Sequence, residues 1–352
     1  MKKVITILLL LTLIVVFQFC SKKDDTATVL EPVLPSTPYN YVVSYPTHIQ
    51  VALATNDNTP PDNQLTNDGA TLGRVLFYDT KLSKNNTVSC GSCHKQEFAF
   101  DDNVQFSKGF EGGFTTRNSM SLLNERFYKN GKMFWDERAL TLEKQALQPI
   151  QNHIEMGLTL AELETKVKAQ SYYPALFQKA FGSTDIDSIK IAKAIAQFER
   201  SIVTYQSKYD QVKAGTASFT TLEEQGEQLF LNATGPGGST NTCATCHAPP
   251  MFIKSNAPGF SITDAGDTTG INGVNKFKSG SLRNIGNRVN LFHTGTVSNL
   301  TAMLTAGAPG TGTTLIKAHS VAPGDVEKLL AFLNTLTDNT IITEEKFSNP
   351  FK

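Results

Sequence analysis

Apolar residues recur at helical spacing in several windows and alternate at strand spacing in almost none. Ile191, Ala194, Ile195, Phe198 and Ile202 line one face of residues 186–208, the spacing of an amphipathic helix. Leu72, Val75, Leu76 and Phe77 form a shorter face behind Thr66-Asn67-Asp68, side chains suited to capping a helix N-terminus. A further helix is predicted to begin near Thr141 and end at Pro149, and another to cover 159–169. Thr220-Thr221-Leu222-Glu223-Glu224 predicts a capped helix leading to Leu229-Phe230, and 325–336 a short amphipathic one. Glycine-, Asn- and Thr-rich segments at 103–116, 235–238 and 258–279 read as loops. The expectation is a mainly α chain with long loops and little sheet.

Two short motifs give this scaffold its chemistry. Cys90-Gly91-Ser92-Cys93-His94 and Cys243-Ala244-Thr245-Cys246-His247 are both C-x-x-C-H, the attachment signature of a c-type haem: two thiols hold the porphyrin and the histidine ligates iron. The repeat extends upstream. Gly73-Arg74-Val75-Leu76-Phe77 precedes the first motif and Gly226-Glu227-Gln228-Leu229-Phe230 the second, with Phe77 and Phe230 each 13 positions before the first cysteine. Duplicated flanks indicate two homologous haem-binding units. A zinc site or redox dithiol is the alternative, but zinc ribbons set their cysteine pairs about 15 to 20 residues apart, and His94 and His247 are 153 apart.

Charge and cysteine usage narrow the class. With 32 basic and 32 acidic residues among 352, the chain has no basic excess to bind nucleic acid. Four of five cysteines belong to the motifs, and the fifth is Cys20. Lys2-Lys3 and the apolar run 4–16 read as a secretory signal too short for a comfortable span. Cys20, followed by Ser21-Lys22-Lys23-Asp24-Asp25, is the expected lipidated residue of an exported lipoprotein, periplasmic or attached to the outer membrane. The organisation read from sequence is signal 1–20, a Pro- and Thr-rich tether 21–57 with His48 on its surface, a first haem domain 58–207 and a second 208–345.

Both motifs combine with Arg117-Asn118, Phe134-Trp135-Asp136, Gln145, Glu155-Met156 and the block from Leu282-Arg283-Asn284 to Phe292-His293. In this order they resemble the bacterial di-haem cytochrome c peroxidase superfamily, including the methylamine dehydrogenase maturation enzymes, over roughly residues 58–337. The resemblance implies two cytochrome c-like helical domains, each with one covalent haem c. It makes the His94 haem peroxidatic and the His247 haem the electron store, with Trp135 the relay between them. Glu155 matches the distal acid-base carboxylate and Gln145 its neighbour. The implied activity is reduction of hydrogen peroxide to water with electrons from a small cytochrome c or cupredoxin. The alternative inside the superfamily is oxidation of a protein or organic substrate through a high-valent di-haem state, and outside it a plain electron-transfer lipoprotein.

The sequence also departs from the family. The distal loop, Ser107-Lys108-Gly109-Phe110-Glu111-Gly112, lacks the histidine that in many relatives blocks the peroxidatic iron. Where the family places the sixth ligand of the second haem this chain has Gly307, and Met303 is the candidate instead, ahead of His293 and His319. The resemblance implies calcium between the domains with Asn118 as one ligand, or the cation of Arg288 in its place. Family members are often dimers, so a homodimer is the expected assembly.

Overall fold

A computed structural model describes residues 30–232, 242–255, 269–273, 276–305, 319 and 321–351. Cys20, the 235–238 loop, most of the 258–279 loop and Gly307 lie outside them. Helix α1 (Thr47–Asn56) falls inside the stretch whose prolines predict a tether. Pro46 stands before its first turn, where a missing N–H costs nothing; Ile49 and Ala52 are buried in one cluster with Tyr45, and Tyr41 is buried in another. The tether expectation is therefore corrected from Glu31 onward, where the chain joins the body. His48 is corrected too: its Nε2 lies 2.8 Å from Asp210 Oδ1.

Thr66 accepts the Gly69 amide and starts α2 (Asn67–Tyr78), and the first C-x-x-C turn is α3 (Cys90–Cys93). Thr141 caps α4 (Leu142–Gln151), and a capping box between Thr159 and Glu162 opens α5 (Leu160–Lys168). Pro149 does not end α4: in the last turn it forfeits one intrahelical bond, and the helix runs on to Gln151. Helix α6 (Tyr173–Phe181), absent from the predicted set, buries Tyr173 and Phe177.

Helix α7 (Ser188–Ser201) buries the predicted face but stops well short of residue 208. The Thr204 amide donates to Asn124 Oδ1 at 3.1 Å, and those of Tyr205 and Gln206 to Asp338 Oδ2 at 3.0 and 2.9 Å. Side chains from two distant segments replace the carbonyls a continuing helix would offer. After Ser207 come α8 (Lys208–Lys213), α9 (Thr221–Asn232), α10 (Cys243–Cys246), α11 (Leu300–Thr305), α12 (Pro323–Asn334) and α13 (Asn339–Thr343). Among the described residues β structure is confined to isolated bridges.

The two halves repeat one helix crossing. A Cβ at Gly73 of α2 would lie 2.0 Å from Ala194 O of α7, and one at Gly226 of α9 would lie 2.0 Å from Lys328 O of α12. Only glycine permits so close an approach. Phe77 packs edge-on against Phe198 at 5.2 Å, and Phe230 lies tilted against Phe332 at 5.4 Å. The Gly-x-x-Leu-Phe repeat is thus the footprint of a helix pair beside each C-x-x-C-H turn. The tail then returns to the first half: Ile341 and Phe347 join the core of Tyr41, Phe77 and Phe198, and Gln96 Nε2 donates to the carbonyls of Ile341 and Glu344 at 3.0 and 2.9 Å.

Candidate functional site

The two C-x-x-C-H turns are held alike. His94 Nδ1 lies 3.1 Å from Phe100 O and 3.2 Å from Ser119 Oγ; His247 Nδ1 lies 3.1 Å from Gly280 O and 3.2 Å from Ser279 Oγ. Each serine also donates to the carbonyl of the second cysteine, Ser119 to Cys93 O at 2.9 Å and Ser279 to Cys246 O at 2.8 Å. A carbonyl partner requires Nδ1 to carry the proton, which puts the lone pair on Nε2, the nitrogen that takes a metal. Burial lowers the pKa of His94; at His247 burial, with His319 adding to it, brings the value to about 4. Both imidazoles are neutral at neutral pH. Neither serine stands out in a motif search, yet Ser119-Met120-Ser121-Leu122-Leu123-Asn124 and Ser279-Gly280-Ser281-Leu282-Arg283-Asn284 are a visible repeat.

Cys243, Cys246 and His247 open on a cavity of about 350 Å³ whose other walls include Phe230, Leu291 and Leu304. Met303, His293 and His319 also line it, so all three sixth-ligand candidates share one space. Burial raises the Cys243 thiol to about 11 and pushes Cys246 up. It acts the same way at Cys90 and Cys93, leaving uncharged thiols throughout. Neutral thiols and a neutral imidazole facing apolar walls fit haem c, a flat hydrophobic group with one axial histidine.

Around the first motif, the 103–116 loop lies directly on the Glu155 segment. Phe110 N donates to Glu155 O at 3.1 Å, and a Cβ at Gly109 would lie 1.7 Å from Ile154 O. Burial raises the Glu155 carboxyl above the ordinary range against the opposing pull of Arg138. Its charge is felt at both Cys90 and Cys93, so carboxyl and thiols share one low-dielectric region. Arg138 lies over the Phe134 ring at 3.6 Å and pairs with Asp136 at 2.9 Å. Gln145 is half-buried on α4; among the described residues no hydrogen bond joins its side chain to Glu155.

Trp135 stands where the halves meet. It lines the His247 cavity, donates from Nε1 to Asn118 O at 2.9 Å and meets the His293 ring edge-on at 6.2 Å. The backbone bonds here are reciprocal: Asn118 N donates to His293 O at 2.9 Å, and Lys278 N to Trp135 O at 2.8 Å. Asn118 precedes Ser119 and Lys278 precedes Ser279, so each histidine-holding segment grips the other half's aromatic residue. Phe134 and Phe292 match as well, both left-handed at φ 70° and 68°, a conformation costly for a bulky side chain. Trp135 therefore occupies in the first half the place of His293 in the second.

Asn118 uses Nδ2 on the carbonyls of Val104 and Gln105, at 3.2 and 3.0 Å. Arg288 Nε donates to the buried Asp101 Oδ2 at 2.8 Å. Among the described residues no group of three His, Cys, Asp or Glu gathers as a metal site.

The family model for di-haem cytochrome c peroxidase matches residues 67–218. Cytochrome c551 peroxidase of Nitrosomonas europaea is 34% identical over 283 residues, 77% of this chain and 80% of that protein. Methylamine utilization protein MauG of Methylophilus methylotrophus is 30% identical over 197 residues, 56% of this chain and 57% of that protein. The crystal structure of a MauG-like protein associated with microbial copper homeostasis matches with a TM-score of 0.68 at 28% identity, over 89% of this chain and 100% of that one. The chain belongs to the di-haem cytochrome c peroxidase family, an oxidoreductase family built on haem c.

Proposed function

We propose that the protein reduces hydrogen peroxide to water, with two electrons and two protons per peroxide, at the haem held by Cys90, Cys93 and His94. The observation that carries this reading is Glu155, a half-buried carboxyl sensed by both thiols of that motif and raised above the ordinary carboxylate range. Haem c, when bound, supplies the redox-active iron. The chain supplies the proton: Glu155 moves it from the near oxygen of peroxide to the departing one, with Gln145 positioned nearby. Cys243, Cys246 and His247 would hold the second haem, with Met303 as its other protein ligand, and that haem would take in electrons from a small cytochrome c or cupredoxin. Trp135 passes them on, a role supported by its place on the wall of the His247 cavity and beside Phe134, over which Arg138 lies.

In this reading residues 58–207 and 208–345 are the two haem domains. The calcium expected at Asn118 gives way to Arg288, whose guanidinium already neutralises Asp101. Cys20 anchors the exported protein to a membrane in the periplasm or at the outer membrane, and two copies form a homodimer.

One observation favours a second reading, oxidation of a protein or organic substrate. The loop lying on the Glu155 segment holds no histidine between residues 103 and 116, so no histidine of this loop would block a haem held by the first motif. Similarity to MauG points the same way. The test of the acid-base assignment is Glu155→Gln in the haem-loaded protein. Peroxide turnover should fall about 10²- to 10⁴-fold with both haem spectra unchanged; turnover within tenfold of the wild type would overturn it.

A further inference from the structure

One buried acid takes no part in the chemistry above. Glu199, on α7, is 4% exposed, and its Oε2 has no hydrogen-bond partner. The two cations near it are committed elsewhere. Arg200 turns to Glu143, with contacts of 2.5 and 3.2 Å, and to Asn58 Oδ1 at 3.1 Å. Lys278 bonds Glu125 and, at 3.2 Å, Met133 Sδ.

Burial pushes the Glu199 carboxyl up to about 8; Arg200 and Lys278 oppose that rise, and Glu125 and Glu143 reinforce it. The charged groups facing it are thus Arg200 on its own helix, Glu143 on α4, Glu125, and Lys278 from the second half. Phe198, the residue before Glu199, belongs to the buried cluster against which Cys90 packs, and the Cys90 thiol senses Glu199 before any other charged side chain. An unpaired carboxylate in such a place is costly, and the cost falls when the group takes a proton.

We infer that Glu199 is a redox-linked proton store for the first haem centre: at the alkaline pH where it is ionised in the oxidised protein, it gains one proton when an electron arrives there and returns it when the electron leaves. The balance is simple: the donor protein supplies the electron, bulk water supplies H⁺, and the carboxylate becomes a carboxylic acid with no bond broken in the chain. An added electron next to Cys90 raises the local negative charge, and in a low-dielectric interior the cheapest compensation is the nearest carboxyl without a counter-ion. The inference rests on the reading of His94 as the ligand of the haem that Glu155 serves, and it adds a proton carrier distinct from Glu155.

The experiment is a spectroelectrochemical titration of the His94 haem in the full, haem-loaded protein from pH 5.5 to 9.5. It is made in the Glu155→Gln background, so that a wrong acid-base assignment cannot mimic the result. One proton per electron is a tenfold change in the reduction equilibrium per pH unit, about 59 mV for a one-electron couple. The midpoint should fall with a slope approaching that value across part of this range. Adding Glu199→Gln should flatten the slope and fix the midpoint near its acid-side value, because Gln mimics the protonated acid. An unchanged slope would overturn the inference. If the Glu199→Gln protein does not fold, redox-difference infrared spectroscopy of the Glu155→Gln protein decides the matter: reduction must add the carbonyl stretch of a protonated carboxyl, and its absence would overturn the inference equally.

Discussion

Replacing Asp210 by Asn should cost far more than a surface change. Asp210 accepts two bonds from the fully buried Arg283, both at 2.8 Å, together with bonds from His48 and Ser207 at 2.8 and 2.7 Å. Burial alone would raise its carboxyl; Arg283 and these donors overcome that and hold it at about 2, against an ordinary 3.8. At 1.36 kcal/mol per pKa unit the difference is about 2 kcal/mol. That figure compares the carboxylate with its own protonated form in place, which Asn imitates. Removing the partner of a buried charge costs about 3 to 5 kcal/mol in general, so the expected loss lies at about 2 to 4 kcal/mol. The sign with pH follows from the lowered value: the stabilisation is complete above the ordinary carboxylate pKa and disappears as pH falls through 3.8 towards 2. Urea unfolding of the haem-loaded protein, followed by circular dichroism, reads both effects. The wild type should lose about 2 kcal/mol from this source between roughly pH 5 and 2, and Asp210→Asn should show a flatter acid limb. Arg283 also donates to Pro250 O, at 3.0 and 2.7 Å, three residues beyond His247, so the variant should disturb the second haem's spectrum as well. A loss below about 1 kcal/mol at pH 7, or an acid limb unchanged from wild type, would refute the reasoning.

Ser279→Ala removes one hydroxyl that contacts both Cys246 O and His247 Nδ1. It should cost about 0.5 to 1.5 kcal/mol and raise the potential of the His247 haem, because a ring that gives up less of its Nδ1 proton is a weaker donor to iron; spectroelectrochemistry checks it. With Met303 as the proposed ligand, Met303→Leu should remove a near-infrared sulfur-to-iron band from the His247 haem and shift its low-spin EPR signal. Unchanged spectra would reassign the sixth position, with His319 on the same cavity as the next candidate.

The local features were legible in sequence because each follows from a few neighbouring residues. Thr66 caps its helix where its side chain predicts, the helices expected from near Thr141 and over 159–169 begin there, and the apolar face of α7 is the buried one. The repeated glycines have a physical reason the sequence only hints at, the backbone contact with Ala194 and Lys328. What was not legible depends on partners far along the chain. The end of α7 is set by Asn124 and Asp338, which no window around residue 202 contains. The docking of residues 31–57 rests on Tyr41 OH donating to Lys346 O at 2.7 Å and on the His48–Asp210 pair, while the local run of prolines predicts an open linker.

The junction around Trp135 is the least legible part, and the cause is the kind of bond that builds it. Trp135 is gripped at its carbonyl by Lys278 N and at its indole by Asn118 O. Backbone donors and acceptors carry no side-chain signature, and any residue but proline supplies the N–H. The sequence therefore marks Trp135 as unusual without saying what fixes it. The clue is indirect: two segments that hold the histidines through Ser119 and Ser279 also reach across to the other half one residue earlier. Because the bonds are reciprocal, the second half cannot shift without moving Trp135, nor the first without moving His293. The hydrogen bonds that hold each C-x-x-C-H histidine and those that hold Trp135 and His293 thus come from the same two short segments.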